Sequence, residues 1–312
     1  MKRALILGAE GQDGVFLRDR LLSQGYNVKG TVRNLSRITE KIGKDELDFS
    51  SLDIKQTADF VEIVKGYQPD EIYNLAGMSS VSASFKNPDL CIETNYHAVE
   101  RILQSLTEMK YSKKFYQASS SEMFGSYNGI ANENTDFAPI SPYGQAKALA
   151  HKSCLRFRKE FGLQTYCGIL FNHESEYRPK SYVSRKITSS LVAIAKGSID
   201  KFTLGNMHIS RDWGYAGDYA AAMQLIVQNL TEPVFVVATG QSRTLQEFIR
   251  TGLDILKMEG DVTDYVSVSP DLYRPDDLRM SAGDPTRIER LLGWLPEVSF
   301  GEMVKRMIAV DL

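Results

Sequence analysis

Tyr143 and Lys147 stand four residues apart in "SPYGQAKALAHKSCLRFRKEFG", a segment with helical spacing. On a helix, positions i and i+4 share a face. An ammonium beside a phenol favours the phenolate, lowering a pKa of about 10. Such a tyrosine can take a proton from a sugar hydroxyl while hydride leaves for a nicotinamide. Alone, Tyr-x-x-x-Lys is common surface decoration; two neighbouring features give it weight. "QASSSEMFG" (117–125) ends an apolar segment with three serines and Glu122, a carboxylate where a strand meets a loop. "GAEGQDG" sets Gly8, Gly11 and Gly14 directly after an apolar run and at the start of a helix. Glycine lets backbone approach a phosphate, and the N–H groups of a helix terminus supply donors and partial positive charge. The spacing is G-x-x-G-x-x-G, and its place between strand and helix suits dinucleotide binding. At the end of the second strand, where an NAD enzyme usually carries an acid for the ribose 2′-hydroxyl, stands Arg33. A cation there favours the 2′-phosphate of NADP over NAD.

The elements that must position these groups alternate. Apolar runs at 3–8, 26–33, 47–53, 71–77 and 114–120 read as strands, with helical patterns at 15–25, 57–67 and 99–109 between them. That alternation predicts an α/β fold with a doubly wound parallel sheet, the Rossmann arrangement. Two further buried strands are expected at 164–171 and 233–240, separated by a loop-rich, charged region from Asn172 to Trp213. Thr244 with Glu247 and Ser299 with Glu302 spell capping boxes, and Asp284-Pro285 opens a helix that stops at Gly293. The pattern divides into residues 1–171 plus about 212–242 as the dinucleotide domain. About 172–211 and 243–312 then form a smaller α/β C-terminal substrate lobe.

Composition bounds the partners. With 312 residues, a net charge of −2 and basic residues scattered, nothing marks a nucleic-acid surface. Cys91, Cys154 and Cys167 have no paired spacing and read as small buried hydrophobes, with no disulfide frame and no metal site. The basic-then-apolar start "MKRALILGAEG" imitates a leader, but the run Ala4 to Leu7 falls short of the roughly 7–15 residues required. No stretch approaches the ~20 apolar residues that span a bilayer, so a cytoplasmic protein without membrane contact is expected.

The glycine turn, serine strand end and Tyr-x-x-x-Lys together resemble the extended short-chain dehydrogenase/reductase superfamily. "GQDG" (11–14), "PDEIYNLAG" (69–77), "FYQASSSEMFG" (115–125), "SPYGQAK" (141–147) and "GILFNHES" (168–175) narrow this. So do "RKIT" (185–188), "RDWGYAGDY" (211–219), "ATG" (238–240) and "GDPTRIERLLGW" (283–294). In order and spacing they resemble the GDP-mannose 4,6-dehydratase family over essentially the whole chain.

The resemblance implies conversion of a GDP-hexose to its 4-keto-6-deoxy derivative with bound NADP. Tyr143 would remove the C4 hydroxyl proton, assisted by Lys147, with Ser120 supplying the hydroxyl that the family usually places on threonine. Glu122 would take the C5 proton, the step that separates dehydration from epimerisation. NADP would meet Gly8, Gly11, Gln12, Asp13 and Gly14, then Arg33, Asn34 and Ser36. Asp53, Ile54, Leu75, Ala76 and Ser79 would follow, with Tyr143, Lys147, His173 and Arg178. Ser80, Asn172, Lys186, Arg211 and Arg274 would bind the GDP-sugar. A homodimer through helices that include that of Tyr143 is implied, with a tetramer as the alternative. Departures from the family pattern include Ala9 and Glu10 in the first turn, the arginine loop shortened to "VRNLSR", and Met78, Ser80, Ile140 and Glu176 near the sugar end. They leave open GDP-heptose or GDP-N-acetylglucosamine as substrate, a 4-reductase or epimerase of the same fold, or an NADP-sensing regulator.

Overall fold

The computed structural model describes residues 1–37, 48–125, 127, 129–229, 232–273 and 278–312. Its strands are β1 (Arg3–Leu7), β2 (Asn27–Val32), β3 (Asp48–Ser51), β4 (Glu71–Asn74), β5 (Lys114–Ser120), β6 (Ile130–Ala131) and β7 (Gln164–Leu170). They continue as β8 (Asn172–Glu174), β9 (Phe202–Leu204), β10 (Ser210–Tyr215), β11 (Val234–Val237), β12 (Ser242–Thr244), β13 (Val266–Val268) and β14 (Met280–Gly283).

Seven strands form one sheet in the order β11-β7-β5-β4-β1-β2-β3, and every ladder in it is parallel. Helices cover both faces, which is why β1 is apolar without a break from Ala4 to Leu7. Side chains alternate across the strand. Leu5 and Leu7 join Phe60 and Ile102 under one face, while Ala4 and Ile6 join Leu17 and Met223 under the other. The chain runs outward from β1 to β2 and β3, then returns to β4 on the opposite side. That reversal opens a crevice at the carboxyl ends of β1 and β4, where such sheets bind ligands.

The C-terminal lobe has its own core, in which Leu191, Phe248 and Met307 pack from the helices Val183–Ala195, Leu245–Ile255 and Phe300–Ala309. The remaining strands form two small sheets: β12-β10-β14-β6, with β8 also on β10, and β13-β9. The region from Asn172 to Trp213 therefore corrects the loop-rich expectation, since it holds β8, a 13-residue helix and β9 before β10. Thr244 and Glu247 form the expected capping box. The second box is one-sided: the Ser299 hydroxyl accepts from the Glu302 N–H at 3.3 Å, while the Glu302 carboxylate takes Arg306 at 3.2 Å. The helix Thr286–Leu292 ends on left-handed Gly293, as its Asp-Pro start and glycine stop imply. All three cysteines are buried and free.

Candidate active site

The crevice at the switch point is a cleft of about 310 Å³, lined on one wall by the glycine turn and on the other by residues 75–79. Gly8 has φ +81°, and a Cβ there would stand 2.9 Å from the Cα and N of Ala76. Only glycine lets β1 and β4 close at that point. At Gly14 a Cβ would stand 2.7 Å from the Cα of Ala9, so glycine lets the helix Gln12–Ser23 fold back on the turn. Gly11 is the N-cap and brings no side chain to its helix, which leaves the first-turn N–H groups for a ligand in the cleft. This cradle fits a dinucleotide pyrophosphate.

The motifs at 11–14 and 172–178 are knit together. The Gln12 amide donates to the His173 carbonyl at 3.1 Å, and the Ser175 hydroxyl donates to the Gln12 side chain at 2.7 Å. His173 places Nε2 3.1 Å from Asp13 and Nδ1 2.7 Å from the Phe171 carbonyl, and stacks on Tyr219. Burial raises the Asp13 carboxyl, but His173 and Arg178 outweigh it and hold the group at about 2. Burial opposes the charged imidazole in turn, and Asp13 more than offsets it, so His173 titrates above its usual value. Two acceptors facing the two ring nitrogens favour the doubly protonated ring. Arg178 donates to Glu174 at 2.7 Å and to the His173 carbonyl, and it reaches the cleft wall.

The proton-transfer groups gather at the end of β5. Ser120 closes that strand, and its hydroxyl accepts from the Glu122 N–H at 3.3 Å. Pro142–Phe161 is a 20-residue helix, N-capped by Ser141, that brings Tyr143 and Lys147 alongside. Its first turn lies hard against residue 122, since a Cβ on Gly144 would stand 2.4 Å from the Glu122 carbonyl. Burial pushes the Tyr143 hydroxyl well up, a hydrogen bond with Ser120 pulls it down, and Glu122 and Tyr182 push it up again. Lys147 lies with Nζ 5.8 Å from the Tyr143 ring centroid and donates to the Ala118 carbonyl at 2.9 Å; burial lowers its pKa to about 8. Burial thus leaves the Tyr143 hydroxyl above its usual value, and the Ser120 hydroxyl is a group that pulls it down.

A sequence profile described as GDP-mannose 4,6 dehydratase matches residues 5–307. The chain belongs to the GDP-mannose 4,6-dehydratase family. It is 37% identical over 329 residues to GDP-mannose 4,6 dehydratase 2 of Arabidopsis thaliana, covering all of this chain and 87% of the plant protein. It is 36% identical over 351 residues to GDP-mannose 4,6-dehydratase of Yersinia enterocolitica, covering all of this chain and 94% of that one. In fold it resembles the crystal structure of Thermus thermophilus UDP-glucose 4-epimerase in complex with NAD, with a TM-score of 0.87, 23% identity and 98% of each chain covered.

Against the family's motifs, the residues expected to hold the cofactor divide in two. Gly8, Gly11, Gln12, Asp13, Gly14 and Arg33 line the cleft, as do Asp53, Ile54, Leu75, Ala76, Ser79 and Arg178. Asn34 and Ser36 are outside that lining and bond each other at the surface, and Tyr143 and Lys147 are outside it as well, on the helix Pro142–Phe161. His173 is behind it, held by Asp13. Of the substrate candidates, Ser80 spends its hydroxyl as the N-cap of the helix Val81–Lys86. Asn172 pairs with Trp213 between β8 and β10, and Lys186 reaches the Thr203 carbonyl at 2.6 Å. Arg211 is buried in β10, where its guanidinium donates to the carbonyls of Ser210 and Leu278. Arg274, with Asp276 and Asp277, lies outside the described residues.

Sequence reasoning missed two positioning groups. Asn95 sits in a single π-turn, Glu93–His97, and grips the backbone of Met78 with two bonds of 2.8 Å. Such turns recur at functional sites. Tyr182, N-cap of the helix Val183–Ala195, bonds Ser79 hydroxyl to hydroxyl at 2.7 Å, joining the lobe to the cleft wall. The Arg178 guanidinium lies 4.9 Å from its ring centroid.

Proposed function

We propose that this chain is a GDP-sugar 4,6-dehydratase, acting on GDP-mannose, with a nicotinamide dinucleotide in the cleft at the β1/β4 switch point. The observation that carries this is the meeting of Ser120, Glu122 and Tyr143 at one strand end. A hydroxyl that orients, a phenol as first base and a carboxylate as a second, independent base are what oxidation at C4 followed by loss of a β-hydroxyl demands. Gly8, Gly11, Gly14, Arg33 and Arg178 hold the dinucleotide in this reading, and Arg33 supports NADP through the 2′-phosphate. Bound there, the nicotinamide supplies a hydride acceptor that later returns the hydride.

Tyr143, relieved by Ser120, takes the C4 hydroxyl proton. Lys147, fixed by the Ala118 carbonyl, keeps a cation near the phenol. Glu122 takes the C5 proton, which the adjacent ketone acidifies, delivers a proton as the C6 hydroxyl leaves as water, and passes a solvent proton back to C5 when the hydride returns to C6. Asn172, Lys186, Arg211 and Arg274 are the proposed GDP-sugar contacts. The division into a dinucleotide domain and a sugar lobe is supported by their separate cores, with the β6–β14 ladder as the seam. Exposed Leu149 and Phe161 on the helix of Tyr143 support pairing of two copies through that helix. None of the helices among the described residues is long and apolar enough to cross a membrane.

The test is incubation with GDP-mannose in H₂O and D₂O, followed by mass spectrometry. Loss of one water with deuterium entering the sugar is expected; an unchanged sugar refutes the reading.

A further inference from the structure

Glu10 lies between the first two glycines of the turn, Gly8 and Gly11, and its place is defined by backbone bonds. The N–H groups of Gly8 and Ala9 both donate to the Thr31 carbonyl at 3.0 Å, which ties the turn to the last residues of β2. Glu10 and Arg33 consequently line the same cleft. The other acids there have partners: Asp13 is held by His173, and Asp53 by Lys55 at 3.4 Å. The Glu10 Oε2 is buried and has no hydrogen-bond partner among the described residues.

An ionised carboxylate only accepts hydrogen bonds, and a buried acceptor without a donor is costly. With the pyrophosphate at Gly11, the adenosine ribose is the part of a dinucleotide that reaches the end of β2. Its 2′-hydroxyl offers an O–H to Glu10. A 2′-phosphate instead brings a charge of about −1.5 to −2 beside the carboxylate. Arg33 acts in the opposite sense.

We infer that Glu10 is a cofactor-selecting residue: it accepts a hydrogen bond from the adenosine ribose of NAD and opposes the 2′-phosphate that Arg33 attracts, so this chain binds both NAD and NADP. The inference rests on the reading of the cleft as a dinucleotide site. It names a residue that the sequence motifs do not assign.

Calorimetric titration of NAD and NADP, with no sugar present, tests it on the wild type and on Glu10→Gln, Glu10→Thr and Arg33→Gln. Wild-type dissociation constants for the two cofactors should agree within about tenfold, the scale of one charge-assisted hydrogen bond. Both Glu10 variants should shift the ratio toward NADP by about tenfold or more, and Arg33→Gln should shift it toward NAD. A wild-type preference for NADP beyond about a hundredfold, or a ratio that the Glu10 variants move less than about twofold, overturns the selection. Binding of neither cofactor overturns the dinucleotide site itself. Because no turnover is measured, failure of the dehydratase assignment leaves the result readable.

Discussion

Gly8→Ala tests whether the switch-point crevice depends on a close backbone approach, and Gly25→Ala is its internal control. Both residues have positive φ, +81° and +76°, so alanine meets similar backbone strain at each. That strain is about 1–2 kcal/mol, offset by about 0.4–1 kcal/mol from the stiffer unfolded chain. At Gly25 nothing lies within 4 Å of the added Cβ. The net loss there should be about 1 kcal/mol. At Gly8 the Cβ would stand 2.9 Å from the Cα and N of Ala76 and 3.2 Å from the Leu75 carbonyl carbon. These are backbone atoms of the segment just after β4 and have no rotamer by which to retreat. Overpacking of that kind adds about 1–3 kcal/mol, so Gly8→Ala should cost about 2–4 kcal/mol in all. Urea unfolding monitored by tryptophan fluorescence gives both values, provided the slope is unchanged. Gly8→Ala should also weaken binding of the dinucleotide, while Gly25→Ala leaves it alone. Equal losses within about 0.5 kcal/mol would refute the argument from close approach.

Glu122→Gln should lower dehydration of GDP-mannose by about 10²–10⁴, with deuterium exchange at C5 lost and cofactor affinity retained; exchange at the wild-type rate would remove Glu122 from that step. Tyr182→Phe removes the 2.7 Å bond to Ser79. It should change the KM for the sugar nucleotide by about three- to tenfold with kcat and cofactor affinity held, and an unchanged KM would leave Tyr182 a packing residue. The Asp13–His173 pair sets a pH window. Asp13 is depressed from 3.8, so its contribution is complete above that value and is lost as pH falls through about 2. His173 is raised from 6.5, so its contribution is complete below that value and lost as pH rises through its folded pKa. The stability deficit of His173→Gln should therefore be greatest between about pH 4 and 6.5 and shrink in alkali, as thermal melts across pH would record. A deficit independent of pH would mean that stacking on Tyr219 is what His173 supplies.

The parts of the fold that sequence made legible are those where a local constraint dictates residue type. In β1 the apolar run Ala4 to Leu7 is unbroken, and β5 is buried from Phe115 to Ser120, because helices cover both sheet faces; Thr57–Tyr67 shows a helical period over its observed span. Gly8 and Gly14 are legible because no other residue fits the turn. The helix Val183–Ala195 was hidden although Ile187, Leu191 and Val192 are all buried. Serines and charges dilute its pattern, and no side-chain cap marks its start. Strands of two to four residues such as β6, β8 and β14 carry almost no local signal, and their ladders join residues far apart in the chain.

The site divides along the same line. Ser120, Glu122, Tyr143 and Lys147 were found together because one strand end and one helix start bring short motifs into contact. Asn95 and Tyr182 were not, because each takes its meaning from a partner, 17 residues away at Met78 and 103 residues away at Ser79. Arg211 makes the converse point. Its residue type suggested a diphosphate, yet two backbone carbonyls already draw on its guanidinium. A cation in a motif states what the position can bind, and only its surroundings state what it is bound to. Glu10 inverts that case, for a residue type unfavourable beside a pyrophosphate becomes intelligible once its buried oxygen and the nearby end of β2 are seen together.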